Sequence, residues 1–226
     1  MISALFKALS QLSDPRLARV MKLGILGGLA TYVTLVAVIW TILSKVTLFA
    51  NGWLDSGSDF VIGALALVLP ILFFPALTTT IMGPMLDGVA AAVEDRHYPY
   101  LGPGRPQPVS EVIWSTLRLL GLTIAANLVA LPLYAVLLFT GLGVVLAIVL
   151  NGYLLGREYF ELAALRRMEP AAARNQFRAC LGQIWLAGII IAFLFSVPLL
   201  NLIAPVIGTA FMTHVAETLR KRAKPL

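Results

Sequence analysis

Four long stretches of this chain contain no Asp, Glu, Lys or Arg: residues 23–44, 60–86, 119–156 and 179–216. They are 22, 27, 38 and 38 residues long. A helix needs about 20 apolar residues to cross a hydrocarbon core about 30 Å thick. The first two stretches are therefore predicted to be spanning helices. Composition agrees: 59% of the residues are hydrophobic and 12% are charged, with a mean hydropathy of +0.90. A soluble domain carries about 25% charged residues. Half that charge cannot cover a water-exposed surface, and disorder requires low hydrophobicity. The chain reads as an all-α integral membrane protein.

The two 38-residue stretches each hold a turn signal near the middle. One is Thr140-Gly141-Leu142-Gly143. The other is Val197-Pro198-Leu199-Leu200-Asn201, with Pro205 just beyond. Removing each turn leaves arms of about 17 residues, about 25 Å as helix. The stretches are predicted to be short-armed helical hairpins that penetrate partway. A turn at membrane depth must be buried in protein or face water, which favours an oligomer or an internal cavity. Pro70 and Pro75 predict a kink or short break in the second span.

Positive charge sets the orientation. With six hydrophobic arms both termini share one side, and 16 of the 17 basic residues fall there. The other side holds Lys45 with Asp55 and Asp59. Both termini are expected to be cytoplasmic. Arms that cross and arms that dip in from the cytoplasmic side give the same charge map. The net charge of +6 is explained by these loops, so nucleic-acid binding is not implied.

The chain is read as one membrane domain. Residues 1–12 form an interfacial amphipathic helix, with Ile2, Leu5, Phe6, Leu9 and Leu12 at helical spacing. Long helices follow at 15–44 and 60–86. A cytoplasmic loop and helix occupies 87–118, where the Pro/Gly run at 99–108 forbids helix and Ser110 is the expected N-cap. Hairpin 1 is 119–156, a charged cytoplasmic helical linker is 157–178, hairpin 2 is 179–216 and a basic tail is 217–226. The linker is expected to be a solvated helix surface. Cys180 permits no intrachain disulfide and reads as a small core residue.

Catalytic signatures are missing from the sequence. His97 and His214 are isolated, without metal-ligand spacing, and His214 is expected at the interface. Gly141-Leu142-Gly143 carries no phosphate-loop lysine, and no serine occupies a nucleophile elbow. Gly24, Gly27 and Gly28 lie within a span and are expected to serve close helix packing. No enzyme activity, cofactor or metal is expected.

The best ligand site is the start of the first long helix. Ser13 or Asp14 can cap it, and Pro15 favours its first turn. Free N–H groups and the helix dipole attract anions there. Arg16 and Arg19, three apart, share a face, and guanidinium suits tetrahedral oxyanions. Two readings stand: a sulfate- or phosphate-type site, or arginine anchors on lipid phosphates. Asp14 competes with an anion for the same N–H groups.

The segment Ser13-Asp14-Pro15-Arg16-Leu17-Ala18-Arg19-Val20 resembles the N-terminal stretch of the CysZ sulfate permeases. Gly83-Pro84-Met85-Leu86-Asp87-Gly88 and Val197-Pro198-Leu199-Leu200-Asn201-Leu202 are similar to two further segments of that family. The resemblance implies two long spanning helices, two partly penetrating hairpins and a symmetric homo-oligomer, a hexamer. It also implies a bacterial inner (cytoplasmic) membrane protein that takes up sulfate for cysteine synthesis without hydrolysing ATP. The family's sulfate motif is glycine, an aliphatic residue and two arginines. The matching positions are Arg16, Leu17, Ala18 and Arg19, so Arg16, Leu17 and Arg19 are the candidate sulfate-binding residues. Ala18 replaces one arginine, and Arg16 replaces a glycine that would let an anion approach the backbone.

Two functions follow as alternatives. An oxyanion permease or channel needs a polar route, and Thr78, Thr79 and Thr80 are the most suggestive residues to line it. The same hydroxyls can instead bond between helices. A scaffolding membrane protein would use its hairpins as packing wedges among lipids and show no transport.

Overall fold

The computed structural model describes residues 1–43 and 74–223. Pro70, Lys45, Asp55 and Asp59 lie outside the described residues, as do most of the second predicted span and the end of the basic tail. The described elements are α1 (Ile2–Ser10), α2 (Pro15–Leu43), α3 (74–82), α4 (Leu86–His97), α5 (Val109–Leu137), α6 (Gly143–Leu165), α7 (Pro170–Ala179), α8 (Leu181–Ser196) and α9 (Ala204–Ala223). No strand occurs among the described residues. Helices Pro15–Ile42, Phe74–His97, Val109–Leu137 and Gly143–Leu165 are long and apolar enough to cross a membrane. The chain is an all-α membrane protein.

Chain contacts divide it into two compact units, Met1–Ala18 with Leu86–Leu226, and Arg19–Met85. In the second, α2 and α3 pack through glycine. A side chain at Gly24 would strike Met82, one at Gly27 would lie 3.1 Å from Ile81, and one at Gly28 would lie 2.6 Å from the Thr78 hydroxyl. This is the expected close packing. The chain stays helical through Pro75 and departs from α geometry at the 3₁₀ turn Gly83–Met85, around Pro84.

The other unit is built on α9. Its residues from Ala204 to Glu217 are all buried, against α1, α4, α6 and α8. Helices α6 and α8 touch backbone to backbone. A side chain at Gly156 would lie 2.7 Å from the Ile184 carbonyl, and one at Gly188 would lie 2.6 Å from the Gly156 Cα. Small residues permit this approach. Helix α8 leaves α7 at an 89° bend, and half-buried Cys180 forms the joint rather than a core contact.

Both hairpin tips fall where their turn signals lie. In hairpin 1 a 3₁₀ turn, Leu138–Thr140, ends at Gly141 with φ 72°, a conformation glycine adopts without steric cost. In hairpin 2, Leu199 takes φ 69° before the turn Leu200–Leu202. The 17-residue arm fits α8, which has 16 residues. Helices α5 and α6 have 29 and 23, about 43 and 34 Å. They outrun their uncharged parts: α5 starts at Val109, ahead of Arg118, and α6 runs on through Arg157, which pairs with Glu161 at 2.9 Å. Ser110 is inside the first turn of α5 instead of capping it. The Pro108 carbonyl accepts from the Glu111 and Val112 amides at 2.9 and 3.2 Å, so the helix starts directly after the proline-rich run.

Helix α1 has two faces. Ala8 and Gln11 are buried, and Gln11 Nε2 donates to the Ala92 carbonyl at 3.2 Å. Ile2 and Phe6 are 73% and 68% exposed. Of the predicted stripe, Ile2, Phe6 and Leu9 therefore face outward, whereas Leu5 and Leu12 are half-buried.

Candidate functional site at the start of α2

The first turn of α2 carries the predicted residues. Asp14 is the cap: its Oδ1 accepts from the Arg16 amide at 2.9 Å, and its backbone carbonyl accepts from the Ala18 amide at 2.9 Å. The Arg16 guanidinium points to α4, where Nη1 meets Asp95 Oδ2 at 2.6 Å. Arg96, the next residue, returns the contact with Nη1 3.8 Å from Asp14 Oδ2. Two reciprocal ion pairs thus tie the helix start to α4. Leu17 is fully buried, so of the three predicted residues it positions the turn rather than offering a ligand contact. Arg19, one turn on, is exposed and has no ion pair among the described residues.

The electrostatic consequence is specific. Asp14 holds an amide of the helix start, and Asp95 neutralises Arg16. Both members of the Arg16–Asp95 pair are about 60% exposed, so water and salt weaken it and another oxyanion can compete for the guanidinium. Arg19 carries a charge that no carboxylate among the described residues offsets. Sequence reasoning missed Asp95, because it stands 79 residues from Arg16. Its only signal was the charged run Glu94-Asp95-Arg96 itself.

Thr78, Thr79 and Thr80 do not gather on one side. Thr78 is buried against Gly28, its hydroxyl without a hydrogen-bond partner among the described residues. Thr79 and Thr80 donate to the carbonyls of Pro75 and Ala76 at 2.9 and 2.8 Å. Thr80 is exposed.

A second polar cluster ties α4 to the linker. Glu94, nearly buried, accepts from Arg166 Nη2 and Arg167 Nε, each at 2.9 Å, and Arg166 also meets Asp87. Arg167 Nη1 donates to the carbonyls of Leu101, Gly102 and Pro103 at 3.0–3.2 Å, pinning the proline-rich loop. The linker is only in part the solvated surface its composition suggested: Asn175 and Arg178 on α7 are exposed, whereas the Arg166 and Arg167 side chains are 9% and 11% exposed. Nearby, Arg220 Nε binds Glu217 at 2.8 Å. His214 is buried, not interfacial, with Nδ1 2.7 Å from the Tyr98 hydroxyl. Burial beside Glu217 pushes that phenol up to about 12, so it stays neutral. These cations are matched by carboxylates, which suits a structural clamp. Among the described residues no group of three or more His, Cys, Asp or Glu could hold a metal ion.

Comparison with curated proteins and with solved structures gives no match. A family model described as Sulfate transporter CysZ/Etoposide-induced protein 2.4 matches residues 4–205, a span that contains the α2 start, α3 to α8 and both hairpin tips. Matched over most of its length by that model, the chain belongs to the sulfate transporter CysZ/etoposide-induced protein 2.4 family.

Proposed function

We propose that this protein is an oxyanion permease or channel of the bacterial cytoplasmic membrane. It supplies sulfate for assimilation into cysteine, hydrolyses no ATP and works as a homo-oligomer, a hexamer, with both termini cytoplasmic. Family membership over residues 4–205 carries the reading. The arginine-bearing first turn of α2 supports it, because Arg16 and Arg19 share one helix face and Arg19 is uncompensated. In this reading Arg19 is the principal oxyanion contact, Arg16 an auxiliary one that an incoming anion takes from Asp95, and Leu17 the anchor of the turn. Thr34 on α2 and Asn127 on α5 are exposed within the uncharged parts of their helices, each side chain donating to the carbonyl four residues back. Polar groups that face out of a protomer at membrane depth favour a route shared between copies.

The test is radiolabelled sulfate flux into liposomes carrying the purified protein, with Arg19→Ala and Arg16→Ala alongside. Saturable flux is expected, lost with Arg19→Ala and reduced with Arg16→Ala. Absence of flux for sulfate, sulfite, thiosulfate and phosphate would overturn the permease reading and leave a scaffolding membrane protein.

A further inference from the structure

Helices α1, α8 and α9 enclose an open groove of about 210 Å³. A single water needs on the order of 10–15 Å³ by the same measure, so the groove takes a chain of a dozen or so heavy atoms. Much of its lining is carbon: Ala4 from α1, Leu186 from α8, and Val215 and Leu219 from α9. Its rim is polar, formed by Gln183, Thr218 and Arg222. An apolar channel under one cationic rim is the shape of an amphiphile site.

The charge at the rim is unmatched. Three consecutive cations end α9, and each has a different environment. Arg220 is bound by Glu217. The Lys221 ammonium sits over the rings of Tyr98 and Tyr100, 5.5 and 4.9 Å from their centroids. Arg222 lines the groove, exposed and without an ion pair among the described residues. Beside it, α1 turns Ile2 and Phe6 outward, the arrangement of a helix lying at the headgroup boundary.

The geometry points to a glycerophospholipid of anionic headgroup as the occupant. Its phosphate pairs with the Arg222 fork, as guanidinium does with tetrahedral oxyanions. The Gln183 amide and Thr218 hydroxyl serve the remaining phosphate and glycerol oxygens. One acyl chain lies along Ala4, Leu186 and Leu219. The lipid then bridges α1 to α8 and α9 and holds the N-terminal helix at the membrane surface. The groove's lining includes none of Arg16, Leu17 and Arg19.

The experiment uses the full-length protein, delipidated in detergent, and native mass spectrometry with added phosphatidylglycerol, phosphatidylcholine or inorganic phosphate. Phosphatidylglycerol should be retained more strongly than phosphatidylcholine. Arg222→Gln should weaken phosphatidylglycerol about five-fold, the worth of one arginine at a lipid surface, and phosphatidylcholine less, because its choline cation already offsets the phosphate. Ala4→Trp, which fills the groove, should reduce retention of both. Helical circular dichroism verifies that each variant is folded. Equal retention of the two lipids, insensitive to Arg222→Gln, overturns the proposal. So does displacement of phosphatidylglycerol by millimolar inorganic phosphate, which would mark a headgroup-only site. A changed oligomeric state in either variant also overturns it, by assigning the groove to a second copy.

Discussion

Arg16 Nη1 lies 2.6 Å from Asp95 Oδ2, joining the first turn of α2 to the end of α4. A carboxylate of the protein therefore occupies the position that an oxyanion needs at this arginine. Asp95→Asn removes that competitor and keeps the side-chain volume. The pair is exposed, and exposed pairs contribute modestly, so the half-saturating sulfate concentration for flux should fall about two- to five-fold. An unchanged value in the variant would mean that Arg16 takes no part in anion capture.

Glu94 contrasts with Asp95. It is nearly buried and receives two arginines, Arg166 and Arg167. Glu94→Gln leaves both guanidinium groups undercompensated in a poorly hydrated place. Breaking one side of a buried pair costs about 3–5 kcal/mol. The thermal midpoint in detergent should drop markedly, whereas Arg16→Gln at the exposed pair should hardly move it.

Gly188→Ala tests the α6–α8 seam. The added methyl would meet the Gly152 carbonyl and the Gly156 backbone, which cannot swing aside as a side chain does. Overpacking costs typically about 1–3 kcal/mol. Gly182→Ala on the same helix meets nothing within 4 Å and should be neutral or slightly stabilising, since alanine favours helix. Parallel melting curves of the two variants decide it.

Leu199 is the described non-glycine residue with positive φ, 69°. With ψ −48° it lies near the strained γ-turn region, and such a sparsely populated conformation costs about 1–3 kcal/mol. Its side chain is 81% exposed, so little packing is lost on truncation. Leu199→Gly should raise the unfolding midpoint, and a decrease would show that the leucine side chain is buried against a partner in the assembled protein.

Thr78→Val separates packing from permeation. The Thr78 hydroxyl is buried without a hydrogen-bond partner among the described residues, so its exchange for a methyl should hold or raise stability and leave sulfate flux unchanged. A fall in flux at unaltered stability would place Thr78 on the anion route.

Much of this protein was readable locally. Runs of uncharged residues longer than a bilayer is thick determined the membrane class and the helices. Thr140–Gly143 and Val197–Asn201 located the two hairpin tips, because a turn depends on the few residues that make it. Asp14 was readable as a cap and Gly24, Gly27 and Gly28 as packing positions for the same reason. Other outcomes depended on partners far away in the chain. Nothing near Arg16 identifies Asp95 as its counter-ion, and nothing near Arg166 and Arg167 announces Glu94. Ion pairs form between whichever charges the packed helices bring together. His214 and the polar side of α9 are buried because four helices surround α9, although hydropathy alone would expose them. The outward turn of Ile2 and Phe6 has the same origin: Ala8 and Gln11 fit the neighbouring helices closely, and the bulky side chains are left on the other face. Sequence thus determined which segments are long and apolar enough to cross a membrane and where the chain turns. Tertiary packing decided which charges are neutralised and which arginines have no carboxylate partner among the described residues.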